Sequence, residues 1–369
     1  MYGIFWHRLS IKVQGSIKME ILKGLPVAQA INEELIKESQ EAGIKPHLAI
    51  IRVGERPDDC SYERGATKKM DKVGFDCTSY VFPQDITDEE FQKEFDKINK
   101  DDNIDGILLL RPLPKHINEK AIEERINPVK DLDGISPINL AKVYAGDVNG
   151  FAPCTAEAVI EMLDYAGIDL TGKRVTVVGR SLVIGKPVAM MLMKKNATVT
   201  VCHTKTKDMA GTCRNAEVLV AAAGSAKMIK PDYVADDAVV IDVGINVDES
   251  GNLCGDVDFD NVAQKTSVIT PVPGGVGSVT TSVLAKHLLR AAKMRKLYLN
   301  SQKKYLTINI KIVVRKIKNS YTCTCINTKI CYLCTNSTGI AVFCYAVMKI
   351  HALVQVHLTV TNQSSISKK

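Results

Sequence analysis

The chain has 369 residues, of which 46% are apolar and 24% charged, a composition typical of soluble globular proteins with room for two domains. The formal net charge is +7, but all 41 acidic residues lie between positions 19 and 296, so the central body is mildly acidic, which speaks against nucleic-acid binding. No stretch matches a membrane span or a signal peptide, so we expect a cytoplasmic protein with free thiols.

The two flanks differ from this body. Residues 1–18 and 297–369 contain no acid, and five of the eleven cysteines crowd into 323–344. We expect 1–18 to be an extension and 297–369 to be an appended basic tail, not a third domain. The segment "CTCINTKICYLC" offers four thiols, but zinc ribbons usually separate their cysteine pairs by a longer loop, so we predict no metal site.

From Met19 onward, short apolar runs closed by glycine alternate with stretches of helical spacing. "HLAIIRVG" and "AEVLVAAAG" predict buried strands, and Thr87 with Glu90 predicts a helix that begins with a capping box. The alternation predicts an α/β protein with a parallel sheet and helical crossovers. Predicted helices are 26–43, one ending at Gly74, 87–100, 155–167 and 278–294; predicted strands are 47–54, 75–82, 105–114, 216–224 and 237–246, with strand, helix and strand following in turn over 174–206.

A glycine turn in "VVGRSLVIG" lies where a strand meets a helix. Dinucleotide-binding folds need glycine at such a turn, because the backbone approaches the pyrophosphate closely there. The spacing departs from G-x-G-x-x-G, since Gly179 is followed by Arg180 and Ser181 and the next glycine is Gly185. Alone, this turn is also compatible with a plain strand-to-helix connection.

The end of the next strand bears on the cofactor. An acid at this position typically binds the ribose hydroxyl of NAD, but the sequence here is "CHTKT", with His203, Thr204 and Lys205. Arg180 together with a hydroxyl suits a 2′-phosphate, so we predict NADP as the cofactor, with NAD less favoured.

Seven segments occur in an order and spacing that resemble the FolD family, whose members are bifunctional 5,10-methylenetetrahydrofolate dehydrogenases and 5,10-methenyltetrahydrofolate cyclohydrolases. The resemblance runs from about residue 19 to 296 and excludes both flanks. It is carried by "DGILLLRPLP", "KDLDGISPIN", "PCTAEAV", "VVGRSLVIGKP", "ATVTVCHTKT", "VIDVGIN" and "ITPVPGGVGSVTTSVL".

This resemblance implies two α/β domains with a cleft between them, and a homodimer. The expected folate domain is 19–140, with a closing helix at 278–296 packed back on it, and the expected Rossmann-like NADP domain is 141–277. A tetrahydrofolate derivative would be the substrate, with no specific nucleic-acid or membrane partner.

The resemblance also assigns site residues position by position. The cofactor contacts implied are Gly179, Arg180, Ser181, Gly185, Thr204 and Ile245. The folate side implied is Tyr62, Asp133, Pro271, Pro273 and Gly274, with Tyr62 and Asp133 as the catalytic pair. A carboxylate such as Asp133 can accept paired hydrogen bonds from an amino-pyrimidine edge, although "DLDG" alone also fits an ordinary turn.

Two positions depart from the family pattern, and both concern the cyclohydrolase step. The pattern has a lysine four residues after the tyrosine and a glutamine that holds it, where this chain has Ala66 and Leu110. Lys69 is seven residues after Tyr62, which places it roughly 10 Å from Tyr62 along the helix axis. Arg111 stays protonated and makes a poor base. We therefore predict NADP-dependent oxidation of 5,10-methylenetetrahydrofolate with weak or lost cyclohydrolase activity. The alternatives are a fully bifunctional enzyme that uses another base, and a non-catalytic ligand-binding relic.

Overall fold

A computed structural model gives the fold and describes residues 19–297. The predictions made for the extension, the basic tail and its cysteine-rich segment concern residues outside that range. Within it, every helix is too short or too polar to cross a bilayer.

The described residues form strands and helices in regular alternation. The strands are β1 (Glu20–Ile21), β2 (His47–Val53), β3 (Asp76–Phe82), β4 (Gly106–Leu109), β5 (Arg174–Val178), β6 (Thr198–Cys202), β7 (Val218–Ala221), β8 (Ala238–Asp242), β9 (Asn246–Val247), β10 (Leu253–Cys254) and β11 (Thr266–Ile269). The helices are α1 (Gly24–Ala42), α2 (Pro57–Val73), α3 (Asp88–Lys100), α4 (Glu119–Arg125), α5 (Pro137–Ala145), α6 (Cys154–Tyr165), α7 (Gly185–Lys194), α8 (Met209–Arg214), α9 (Phe259–Val262) and α10, described over 280–297.

Two parallel sheets organise these elements. The first has the order β3-β2-β4, and the second has the order β1-β11-β8-β7-β5-β6, with every pairing parallel. In the second sheet, β6 and β7 lie on opposite sides of β5, so the end of β5 is a point where ligands bind in open α/β sheets. The hairpin of β9 and β10 is antiparallel and separate from both sheets.

The predicted fold class, an α/β protein of two parallel-sheet parts, is confirmed. The capping box of α3 is present, because Thr87 Oγ1 accepts the Glu90 N–H while the Glu90 carboxylate accepts the Thr87 N–H. The strand predicted at 105–114 is shorter, ending at Leu109. Helix α1 begins at Gly24, two residues earlier than predicted.

One apolar cluster connects the two sheets. It contains Leu48 and Ile50 of the first sheet, Val175 and Val177 of the second, and several fully buried residues of α6 and α10. Because α6 and α10 pack into the core of both sheets, they hold the strand ends of the two halves at fixed positions.

Ion pairs also connect helix α10 to α1 and to the residue before β4. Arg295 Nη1 lies 2.8 Å from the Asp105 carboxylate before β4, and Lys293 Nζ lies 2.5 Å from Glu38 on α1. The last helix of the described chain therefore packs on elements more than 180 residues earlier.

Candidate active site

Tyr62 lies on the second turn of α2, and its ring packs against the main apolar cluster. Burial raises the pKa of Tyr62 well above its usual value, nearby Cys154 and Asp133 raise it further, and a hydrogen bond with Thr280 opposes them in part. The phenol therefore keeps its proton at neutral pH and can donate a hydrogen bond. The structure thus brings Tyr62, Asp133 and Thr280 together from three separate parts of the chain.

Asp133 occupies a turn before α5 that is held from two directions. Asp131 accepts the backbone N–H groups of the two residues after Gly134, at 3.0 and 2.9 Å, and Gly134 has a φ of +61°. The N–H of Cys154, at the start of α6, donates to Asp133 Oδ1 at 2.8 Å. Burial raises the pKa of Asp133, while the Cys154 hydrogen bonds and the His287 charge oppose the rise.

The glycine-rich loop after β11 lies against the start of α1. The N–H of Gly24 donates to the carbonyl of Gly274 at 2.8 Å, and a Cβ on Gly24 would lie 2.1 Å from the carbonyl oxygen of Gly275. Gly274 has a φ of +97°, a conformation that other residues adopt only under strain. Pro271 is half-buried and Pro273 is exposed. The loop thus exposes Pro273 and Gly274 at the surface, while Gly275 is buried against the start of α1.

The same loop also reaches the nucleotide side. Ile245 follows β8, is 68% exposed, and places its Cδ1 3.6 Å from where a Cβ on Gly277 would stand. A residue predicted to contact the cofactor and the loop predicted to contact folate are therefore neighbours.

The glycine turn after β5 is closely packed. A Cβ on Gly179 would lie 2.1 Å from the Ala222 carbonyl oxygen, and a Cβ on Gly185 would lie 2.1 Å from the Gly179 carbonyl oxygen. Ser181 Oγ accepts the N–H of Gly185 at 3.4 Å and that of Ile184 at 3.1 Å, which caps the start of α7. Only glycine fits at positions 179 and 185, so the turn can bring its backbone close to a ligand.

This turn has the donors that an anion requires. Within residues 19–297, the backbone N–H groups of positions 180–183 have no protein acceptor, and they lie before the N-terminus of α7. Unpaired N–H groups at a helix N-terminus are typical of a phosphate-binding site. The residues present therefore fit the pyrophosphate of a dinucleotide.

The end of β6 adds positive and hydroxyl groups and no acid. Thr204, Lys205 and Arg180 are exposed, and the Arg180 guanidinium has no hydrogen bond or ion pair among the described residues. His203 Nδ1 accepts the N–H of Lys205 at 3.1 Å, which fixes this short turn. A phosphate placed here would meet a free guanidinium.

Asp256, which the sequence analysis did not select, organises the loops around this site. Its carboxylate accepts the N–H groups of Ala223, Gly224 and Ser225 after β7, at 2.6 to 3.1 Å, and the side-chain N–H of Asn246 at 2.9 Å. It therefore ties the loop after β7 to the segment after Ile245. The only signal in the sequence was the three acids in "GDVDFD", which follow no distinguishing motif.

A second buried acid supports Asp256. Asp242, at the end of β8, accepts the N–H groups of Gly244, Asp256 and Val257 at 2.9 to 3.0 Å. Burial raises the pKa of Asp242 to about 6, despite these three hydrogen bonds. The two carboxylates thus accept seven hydrogen bonds, which hold the loops that follow β7 and β8 in place.

The two residues that depart from the family pattern for the cyclohydrolase step are both apolar and buried. Ala66 is fully buried and Leu110 is 7% exposed, and both belong to the main apolar cluster. Lys69 Nζ donates to Ser282 Oγ at 2.8 Å and to Asn32 Oδ1 at 3.3 Å, so its amine links α2 to α10 and α1. Burial, and then the charge of Lys72, lower the pKa of Lys69.

The described residues contain no group of three or more side chains arranged to hold a metal ion. The candidate site therefore consists of a half-buried carboxylate and phenol, a glycine-rich loop and a glycine turn with unpaired N–H groups within residues 19–297.

Comparison with known proteins agrees with this geometry. Residues 22–133 match the family model "Tetrahydrofolate dehydrogenase/cyclohydrolase, catalytic domain", and residues 153–296 match the model for its NAD(P)-binding domain. The chain is 55% identical over 283 residues to the "Bifunctional protein FolD" of Clostridioides difficile, covering 76% of this chain and 99% of that protein.

Solved structures give the same result. The bifunctional FolD enzyme of Campylobacter jejuni superposes with a TM-score of 0.73 at 40% identity, covering 75% of this chain and all of that one. The Trypanosoma brucei FolD structure, complexed with NADP cofactor and inhibitor, has a TM-score of 0.70 at 37% identity, covering 75% and 98% of the two chains. The predicted nicotinamide cofactor is thereby confirmed, and the chain belongs to the tetrahydrofolate dehydrogenase/cyclohydrolase family.

Proposed function

We propose that the protein oxidises 5,10-methylenetetrahydrofolate to 5,10-methenyltetrahydrofolate with NADP, and that its cyclohydrolase activity is weak or absent. One observation carries the first part: the loop after β11 contacts Gly24 on one side and Ile245 on the other. Helix α10 follows this loop, and its first residue, Thr280, hydrogen-bonds with Tyr62, which supports a loop that approaches both the Tyr62 and Asp133 pair and the residues proposed to hold the cofactor. Such a loop is placed to hold a folate against a nicotinamide.

Hydride transfer needs positioning more than it needs acid–base chemistry. Asp133 uses Oδ1 to accept the Cys154 N–H, which leaves lone pairs to accept hydrogen bonds from the substrate's amino-pyrimidine edge. Tyr62, protonated at neutral pH, offers a donor and an aromatic face beside the same carboxylate. When bound, NADP supplies the nicotinamide that accepts the hydride.

The preference for NADP over NAD rests on Arg180. Its guanidinium is exposed and unpaired within residues 19–297, beside a turn that has Thr204 and Lys205 and no acid. A charge-assisted bond to a 2′-phosphate would favour NADP, since NAD lacks that group. Steady-state kinetics with both cofactors test this, and a higher kcat/KM for NAD would overturn it.

The weak cyclohydrolase activity rests on Ala66 and Leu110. Water attack on the methenyl carbon requires a group that moves a proton, and neither side chain can do so. Both are packed in the apolar cluster beside α2, so the site offers no polar group at these positions.

The fully bifunctional alternative has one specific observation in its favour. Lys69 is half-buried and has a lowered pKa, which is the property of a lysine base, and the Clostridioides difficile relative bears the name "Bifunctional protein FolD". Against it, the Lys69 amine already donates to Asn32 and Ser282. Lys69→Met separates the two, because only the alternative predicts a large loss of cyclohydrolase activity with hydride transfer retained.

The non-catalytic relic is disfavoured by the intact site. A relic that only binds ligands would not need Tyr62 and Asp133 as a catalytic pair, whereas their surroundings hold both of them in place. An assay for NADPH formation from methylenetetrahydrofolate tests this alternative directly, because a relic would form none. The site assignments, the domain limits, a homodimer and a cytoplasmic location are parts of this proposal that follow from the family.

A further inference from the structure

A buried histidine lies beside the turn that carries Asp133. His287, on α10, is fully buried, and each of its ring nitrogens faces an acceptor. Nδ1 lies 2.7 Å from the Leu132 carbonyl oxygen, and Nε2 lies 2.8 Å from Oε2 of Glu157. Cys154 Sγ also lies 3.8 Å from Nδ1. A carbonyl oxygen and an ionised carboxylate can only accept, so the two shorter contacts suit a ring in which both nitrogens donate.

The surroundings of Glu157 place the shared proton on the histidine. Burial would raise the pKa of Glu157, but the His287 charge and hydrogen bond, followed by the charges of Lys286 and Arg290, hold it well below its usual range. Glu157 is therefore ionised and can only accept a hydrogen bond from His287 Nε2. Lys286 also lies close to Glu161, one turn further along α6.

The His287 ring contacts the backbone of Leu132, the residue directly before Asp133. The Leu132 carbonyl accepts hydrogen bonds from His287 Nδ1 and from the Cys154 thiol, the latter at 3.5 Å, while the Cys154 N–H donates to Asp133 itself. The Phe151 ring closes the pocket edge-on, with its centroid 5.3 Å from that of His287. Residues 132 and 133 are thus held from α6 and α10 together.

We infer that His287, kept as an imidazolium by Glu157, is a positioning residue for the carboxylate of Asp133. The inference rests on the proposed folate-binding role of Asp133. His287 fixes the carbonyl of the residue before Asp133 and supplies a positive charge near the Asp133 carboxylate. The charged groups around the ring are Glu157 from α6, Asp131 and Asp133 from the turn, and Lys286 and Arg290 from α10.

The first test reads the protonation state in the wild-type chain. Nitrogen-15 NMR of histidine-labelled protein, with the His287 signals assigned by their loss in His287→Gln, should show both ring nitrogens protonated at pH 8. In Glu157→Gln the amide can donate to Nε2, so the ring should lose one proton. A singly protonated His287 in the wild type at pH 7 to 8 would overturn the inference, and this readout needs no variant to be active.

The second test reads the effect on the substrate. Glu157→Gln should raise the KM for methylenetetrahydrofolate about tenfold, the effect of weakening a charge-assisted hydrogen bond, with the KM for NADP within about twofold of wild type. Glu161→Gln is the matched control, because it removes the same charge from the same helix without touching His287, and it should leave both constants unchanged. Equal effects of the two variants, or a loss confined to NADP, would contradict the positioning role.

A third variant separates this inference from the proposed function. Asp133→Asn should raise the KM for methylenetetrahydrofolate if Asp133 binds the folate. If it does not, the proposed role of Asp133 fails while the NMR result for His287 stands. If Asp133→Asn raises the KM and Glu157→Gln does not, the folate role stands and the inference about His287 fails.

Discussion

Introducing the lysine and glutamine of the family pattern should raise the cyclohydrolase activity that we propose to be weak or absent. The perturbation is Ala66→Lys together with Leu110→Gln. Since Ala66 is fully buried and Leu110 is 7% exposed in the same cluster, the new amine and amide would lie in a largely dry region beside α2. Burial would lower the pKa of such a lysine toward the range useful for a base.

The expected magnitude follows from the chemistry and the packing. Positioned acid–base groups contribute about 10²–10⁴-fold, so cyclohydrolase activity should rise by at least about 100-fold in the double variant. Stability should fall by about 2–5 kcal/mol, because a packed leucine is lost and polar groups are buried. Ala66→Lys alone should be less stable and less active than the pair, since its amine would lack the glutamine as a partner.

The assay follows the decay of methenyltetrahydrofolate by its absorbance, with and without enzyme. Ala66→Met, with Leu110 unchanged, is the matched control, because it adds comparable volume without an amine. Hydride transfer by each variant shows whether the cleft is intact. A folded double variant that keeps hydride transfer but hydrolyses methenyltetrahydrofolate no faster than the control would refute the reasoning.

Three further results are expected. Arg180→Ala should lower kcat/KM for NADP by about 10-fold or more and leave NAD nearly unchanged, as measured by steady-state kinetics; an equal loss with both cofactors would remove Arg180 from the 2′-phosphate. A chain shortened to 19–296 should keep its thermal transition and its dehydrogenase rate, since all site candidates lie within it; loss of either would make the flanks structural. Glu157→Gln should cost about 3–5 kcal/mol in urea unfolding near pH 7. Because the folded-state pKa of Glu157 is lowered, this difference is complete above its unfolded value near 4.5 and should shrink on acidification to pH 3; a constant difference would contradict the ion pair.

The sequence predicts most of the fold because its local signals are strong. The capping box at Thr87 and the glycine that ends α2 both set an element boundary within a few residues. Two-residue β1 carries no periodicity and could not be found this way, although it pairs with β11 at the edge of the larger sheet. The early start of α1 depends on Gly24 packing against Gly275, a contact between residues about 250 positions apart.

The residues of the candidate site also fall into two groups: those that stand in sequence motifs and those that only the fold brings to the site. Tyr62, Asp133 and the glycine turn stand in motifs, so they could be selected from the sequence, although their roles stay predictions. Thr280 and His287 could not be selected, because each acts through partners that only the fold brings near. Hydrogen bonds from His287 to Leu132 and Glu157 span 155 and 130 positions, and no local pattern records such a distance.

The measurement that tests the account most directly is a pair of rates on one preparation of the wild-type chain. Dehydrogenase activity is followed as NADPH formation from 5,10-methylenetetrahydrofolate, and cyclohydrolase activity as enzyme-dependent loss of methenyltetrahydrofolate. We expect rapid NADPH formation, with methenyltetrahydrofolate accumulating and decaying at nearly its uncatalysed rate. Hydrolysis at a rate comparable to hydride transfer would contradict it and assign the proton transfer to another residue, with Lys69 first to be tested.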